Sequence, residues 1–274
     1  MIRRAEWIQL VFVSLLALVA WIRPIPSARR WRVVAFAALA AVLILLARLS
    51  ASFLPPLASS VVRDWLPAAL LLVPYWQTGL LFVGPDHQLQ EKLLQFDQRL
   101  FARLDLTPAS TSVGPALGLW LELAYVLAYP LVPLGLAALY LSHRRWAADS
   151  YWQAVLLASY VCYGITLFVP ALPPRMLSSG AGFRSRRTAM RKLNEGILDR
   201  AGIQAITFPS AHVAASAAAA LFLLRLNLPI GLIFLSVALS IAVATVMGGY
   251  HYAADALLAL LISALAFTST LWQL

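Results

Sequence analysis

Long apolar runs without charge, separated by short polar or proline-rich breaks, organise this chain from end to end. The stretches 66–85, 150–174, 226–254 and 256–274 contain no Lys, Arg, Asp or Glu. Each is about as long as the roughly 20 residues that a helix needs to cross the hydrocarbon of a bilayer. Together with weaker runs they predict about eight transmembrane helices, near residues 6–22, 32–53, 66–83, 115–141, 151–169, 209–225, 228–247 and 251–271. Segments such as 214–224 lack the apolar–polar alternation that a transmembrane barrel requires. The expected fold class is therefore all-α, a polytopic membrane protein with two N-terminal transmembrane helices over 1–60 and a six-helix core over 61–274.

Two inter-helix segments are long enough to hold structure of their own. Residues 85–114 place Leu89, Leu93, Leu94, Phe96, Leu100, Phe101 and Leu104 among charges, the pattern of an amphipathic helix packed at the interface. Residues 171–207 carry Arg175, Arg184, Arg186, Arg187, Arg191, Lys192 and Arg200, and Met190, Leu193 and Ile197 fall there at the spacing of a short surface helix.

Composition agrees with a lipid environment: 62% of residues are hydrophobic and 12% charged, with a mean hydropathy of +0.81. The net charge of +10 collects between the spans, as expected beside anionic headgroups. No soluble segment is long enough to bind nucleic acid, so membrane lipids are the expected partners. Cys162, the single cysteine, excludes an intrachain disulfide and a cysteine-based metal site. The run from Trp7 to Ile22 follows Arg3 and Arg4 but ends in Trp-Ile-Arg-Pro without a small-residue cleavage site, and so reads as a retained anchor.

Ionisable groups within or at the ends of spans are costly and so are functional candidates. Here they are Arg48, Glu122, His212, His251 and Asp255. Arg48 has the length to snorkel to the nearer surface, and Glu122 with Tyr125 and Tyr129 reads as a buried polar cluster. In Phe-Pro-Ser-Ala-His at 208–212, Pro209 stands where a helix would begin, a position whose free N–H groups attract anions. Ser210 suits either a helix cap or a phosphate contact. In Gly-Gly-Tyr-His-Tyr-Ala-Ala-Asp at 248–255, His251 and Asp255 share a helical face. The carboxylate would then fix the tautomer and leave the second imidazole nitrogen free as a nucleophile. On the eight-helix count, Arg175, His212 and His251 all fall at one membrane face.

Pro173-Pro174-Arg175, Phe208-Pro209-Ser210-Ala211-His212 and His251-Tyr252-Ala253-Ala254-Asp255 resemble the three signatures of the type 2 phosphatidic acid phosphatase superfamily, over roughly residues 66–271. Pro-Ser-x-His with His-Tyr-x-x-Asp is most similar to the branch of inositol-phosphorylceramide and sphingomyelin synthases. The segment from Glu122 to Pro130 also looks like that branch. The resemblance implies that His251 attacks phosphorus to give a phosphohistidine, Asp255 orients it, His212 protonates the leaving oxygen and Arg175 holds the phosphate. It implies a lipid phosphate or phospholipid substrate, no cofactor and no metal. Ala211 departs from the phosphatase pattern, which has glycine there. Thr245 stands where many phosphatases carry a second phosphate-binding arginine, and Gly249 where some bacterial relatives carry another. Arg184, Arg186, Arg187 or Arg191 would have to supply that charge.

Two other readings use the same residues: a zinc site of His212, His251 and Asp255, and a transporter with a His/Asp proton relay. Abundant arginine stands against the first, and the placement of the candidates at one face stands against the second. The expected location is an integral membrane protein of a bacterial inner membrane. Seven Lys and Arg fall on the N-terminal face and fourteen on the other, but seven of those fourteen lie in the 171–207 segment, so the side of the active site stays open.

Overall fold

The computed structural model describes residues 2–104, 114–177, 188–203, 205 and 207–273. Its described residues are all-helical: α1 (Arg4–Ile22), α2 (Ser27–Leu49), α3 (Pro56–Leu70), α4 (Leu72–Leu80), α5 (His87–Arg103), α6 (Pro115–Leu141), α7 (Ala148–Thr166), α8 (Ala189–Ala201), α9 (Ala211–Leu226), α10 (Leu228–Met247) and α11 (Ala253–Thr268). Among the described residues six helical segments are long and apolar enough to span a bilayer: Arg4–Ile22, Ser27–Ser52, Pro56–Leu80, Pro115–Leu141, Leu228–Met247 and Ala253–Gln273. The chain is a polytopic, all-α membrane protein.

α7 and α9 stand at the predicted positions but have a different character. Neither needs an apolar exterior, because they form the centre of the bundle, where α9 packs on α6, α7, α10 and α11. α9 has 16 residues, roughly 24 Å at 1.5 Å per residue. Its run of small residues, Ala214 to Ala220 with Ser216, is buried throughout and admits the neighbouring helices closely. The lipid-facing work falls to the helices around it, whose exposed side chains include Leu18, Leu45, Leu134, Ile233 and Leu261.

The third span was expected to begin at 66, yet its helix begins at Pro56. The charges that marked the expected boundary lie inside the fold. Asp64 is buried and receives Arg3 at 2.6 Å and Arg145 at 2.7 Å, while Arg63 reaches the buried Glu6 at 2.7 Å. The Tyr140 hydroxyl donates to Asp64 at 2.5 Å and the Trp152 indole to the Asp64 carbonyl at 2.7 Å. This network fastens α1, α3, α6 and α7 at the end of the bundle where the chain begins. The span breaks between Leu70 and Leu72, near Pro67 and Pro74, neither of which has an amide hydrogen to continue the helical ladder.

α2 likewise starts earlier than expected, at Ser27. Arg29 and Arg30 in its first turn donate to the carbonyls of Phe82 and Ala20, at 3.2 and 2.9 Å, which lie near the ends of α4 and α1.

Candidate active site

α7 ends at one face of the bundle, and α9 and α11 begin there. The Thr166 hydroxyl at the end of α7 accepts from the Phe208 amide at 3.0 Å, which holds the segment entering α9. Ser210 is the N-cap of that helix: its fully buried hydroxyl accepts from the Val213 amide at 3.5 Å, and its own amide donates to the Asp255 carbonyl at 3.4 Å. Pro209 therefore precedes the cap rather than opening the first turn, and His212 is the second residue of α9.

α10 ends at Gly248, where a Cβ would lie 2.4 Å from the Tyr250 ring. Gly249 follows at φ +68, a conformation that favours glycine. The turn is closed by the Tyr250 and His251 amides, which both donate to the Thr245 carbonyl at 2.9 Å. The Thr245 side chain is buried and bonds back to the Ala242 carbonyl at 2.8 Å, so it offers the site nothing in place of an arginine.

His251 emerges from this turn. Asp255, fully buried, accepts from His251 Nδ1 at 3.0 Å and from the Tyr252 amide at 3.2 Å, both on Oδ2, while Oδ1 has no partner. Facing a carboxylate, Nδ1 carries the proton and Nε2 presents its lone pair. Burial, reinforced by the positive Arg175, pushes the His251 imidazole down from 6.5 to about 3, so it stands neutral at physiological pH. His212 lies across from it, with ring centroids 6.4 Å apart and ring planes at 84°.

Arg175 arrives from the proline-rich segment after α7. Its amide donates to the Gly249 carbonyl at 3.0 Å and its guanidinium lies 5.5 Å from the Tyr250 ring centroid. Among the described residues no carboxylate pairs with it. Arg175, His212 and His251, with Tyr75, Tyr125 and Tyr250, line a cavity of about 30 Å³. A single water needs roughly 10–15 Å³ of such space, so a cavity of this size is smaller than a phosphate ester.

Behind the cavity Glu122 acts as a hub. Its carboxylate accepts from Arg191 at 3.2 Å, Asn194 at 2.6 Å and the Tyr250 hydroxyl at 2.9 Å. Tyr125 stacks on Tyr250 at 3.8 Å. The polar cluster expected around Glu122 is thus present, and it also ties α8 to the turn that carries His251. The two sequence signals missed here were Tyr250, one residue before the nucleophile, and Asn194, on the inner face of α8.

His251, Asp255, His212, Ser210 and Arg175 are therefore brought together. Arg191 sits 4.8 Å over Tyr250 and donates to the Gly248 carbonyl at 2.9 Å, but it is paired with Glu122 and Glu195. Arg184, Arg186 and Arg187 lie outside the described residues. His87 and His143 are exposed and far in sequence from these elements, and Arg48 is exposed on α2.

A helical membrane bundle that sets a carboxylate-held imidazole opposite a second imidazole, beside an arginine that no carboxylate pairs among the described residues, defines a histidine site suited to an anionic ligand. The sequence model described as the PAP2 superfamily matches residues 91–269, from within α5 to just past α11, and the chain belongs to that superfamily. Its members are phosphatases and phosphotransferases, which makes this chain a lipid enzyme of that general type. No curated protein and no solved structure matches the chain.

Proposed function

We propose that the chain cleaves or transfers a phosphate-ester group of a lipid through a phosphohistidine. The observation that carries this reading is the 3.0 Å bond from His251 Nδ1 to Asp255, with His212 placed opposite. His251 Nε2 attacks phosphorus, and the bond from phosphorus to the leaving oxygen breaks as protonated His212 donates its proton to that oxygen. His212, now neutral, takes a proton from the acceptor, whose oxygen attacks the phosphohistidine and frees His251. Water as acceptor gives a phosphatase; a lipid hydroxyl gives a transferase. Arg175 balances the charge on the phosphoryl oxygens.

In this reading residues 61–274 are the catalytic core and 1–60 an N-terminal helical pair packed on it. Ser210 contributes the start of α9, and Arg184, Arg186 and Arg187 draw in an anionic headgroup, while Arg191 is held by Glu122 and Glu195. The Pro-Ser-Ala-His and His-Tyr-Ala-Ala-Asp forms support the synthase-like branch, and we place the protein in a bacterial inner membrane. Among the described residues no group of three His, Cys, Asp or Glu side chains converges as a zinc site needs.

The test is incubation of purified protein with lipid phosphates and phosphodiester lipids, with and without diacylglycerol, ceramide or polyprenol, in EDTA. Release of inorganic phosphate without acceptor identifies a phosphatase; a new phospholipid formed only with acceptor identifies a transferase. Loss of both in EDTA, restored by zinc, or turnover by His251→Ala above a few percent of wild type, overturns the proposal.

A further inference from the structure

α5 is an amphipathic interfacial helix whose inner face carries one anomaly. Leu89, Leu93 and Asp97 recur at four-residue spacing, so a carboxylate takes a place where the pattern asks for an apolar side chain. Asp97 is only 6% exposed. Burying a carboxylate is costly unless it is used, and among the described residues Asp97 has one hydrogen-bond partner: its Oδ1 accepts from the Ala253 amide at 2.9 Å. Ala253 opens α11, two residues after His251 and two before Asp255.

The same helix holds the other half of the site. Gln90 Oε1, about two turns earlier, accepts from the Leu172 amide at 3.0 Å, and the Asp86 amide at its N-cap donates to the Pro170 carbonyl at 2.8 Å. Leu172 in turn accepts from the Tyr252 hydroxyl at 3.1 Å. Leu93, Ala171 and Tyr252 pack together between these bonds, with Leu89 and Phe208 against them. α5 therefore grips the segment that leads to Arg175 and the backbone between His251 and Asp255.

We propose that Asp97 is a positioning residue, which fixes the His251–Asp255 turn against the arm of Arg175 through its bond to the Ala253 amide. This rests on the phosphohistidine reading above. The bond acts on geometry: a shift of about 1 Å at a nucleophile costs on the order of 100-fold in rate, while the groups that bind substrate stay in place. A carboxylate that served only as a cap on α11 would change stability and leave the rate of folded enzyme unaltered.

The test compares full-length wild type, Asp97→Ala and Asp97→Asn in detergent. It reads kcat and KM for the lipid phosphate that the wild type turns over, together with hydrogen exchange of peptides covering residues 249–256. Asp97→Ala should lower kcat by about 10- to 100-fold with KM within about twofold, and exchange in that peptide should quicken. Asp97→Asn keeps an oxygen acceptor for Ala253 and should remain within about threefold of wild type on the same scale, with wild-type exchange. If Asp97→Ala does not yield folded protein, Asp97→Glu, which moves the carboxylate by one methylene, should show the same loss of kcat. Wild-type kcat in either, or an Asn variant as slow as Ala, overturns the proposal. If the wild type turns over no lipid phosphate, the phosphohistidine reading fails, and the exchange measurement still decides whether Asp97 holds the turn.

Discussion

Asp255 offers the sharpest test of the proposed chemistry, because both of its hydrogen bonds fall on one oxygen. His251 Nδ1 and the Tyr252 amide converge on Oδ2, and Oδ1 is buried without a partner. Asp255→Asn can place its amide oxygen where Oδ2 stood and keep both bonds, turning its NH2 into the space of Oδ1. What disappears is the charge. A hydrogen bond to a charged group is worth about 1.5–3 kcal/mol against about 0.5–1.5 for a neutral one, a difference of about 1–2 kcal/mol. At 1.36 kcal/mol per tenfold, kcat should fall about 5- to 30-fold. Asp255→Ala removes the orientation as well and frees the imidazole to take the wrong tautomer, so its loss should be at least about tenfold larger than that of Asn. The assay is steady-state phosphate release or phospholipid formation, normalised to folded protein by size exclusion, with KM measured for both variants. An Ala variant within about threefold of wild type, or an Asn variant slower than Ala, would refute the role given to this carboxylate.

Three further outcomes follow from the same geometry. Because burial holds the His251 imidazole neutral to about pH 3, its modification by diethyl pyrocarbonate, followed by peptide mass spectrometry, should change little between pH 7 and 5; a free imidazole of pKa about 6.5 is about 97% protonated at pH 5, and a comparable collapse at His251 would contradict its neutral state. Asp64→Ala leaves the Arg3 and Arg145 guanidiniums without their carboxylate and should destabilise the fold by about 3–5 kcal/mol, read as a drop in Tm with kcat of the folded fraction preserved; an unchanged Tm would mean the network holds nothing. Glu122→Ala removes the anchor for Arg191 and Asn194, so trypsin should cut within α8 faster than in wild type, and an unchanged cleavage pattern would place the anchor of α8 elsewhere.

The convergence of the candidate site residues was legible in the sequence because it rests on local spacing. His251 and Asp255 are four residues apart, and the Pro-Ser-Ala-His turn opens the helix that carries His212, so the residues that converge could be named from two short segments. The spans were legible wherever a helix faces lipid, as with α10, which runs over the predicted 228–247. Boundaries failed where charge is paired across the bundle. Asp64 and Arg63 look like a polar break in one dimension, but their partners Arg3, Arg145 and Glu6 come from other helices. Asp97 was passed over for a related reason: its value lies in a bond to a backbone amide 156 residues away. Its one local sign was a carboxylate at i+4 from Leu93 on an apolar face.

The two polar ends of the bundle differ in a way that separates structure from function. At the end near the N-terminus, the buried carboxylates Glu6 and Asp64 each meet at least one guanidinium within 2.7 Å. Paired charges of that kind define how the helices fit and offer no attraction to a ligand, since their fields cancel at short range. At the opposite end the balance is left open. Arg175 has no carboxylate partner among the described residues, and Asp255, behind His251, is turned to that imidazole rather than to the arginine. An uncompensated cation beside a neutral imidazole attracts an anion with an electrophilic centre and leaves the nucleophile free to reach it. At this same end Arg191 is paired with Glu122 and Glu195, as Arg3 and Arg145 are paired at the other; it is Arg175 alone, beside His251 and without a carboxylate among the described residues, that gives the physical reason to look for the reaction there.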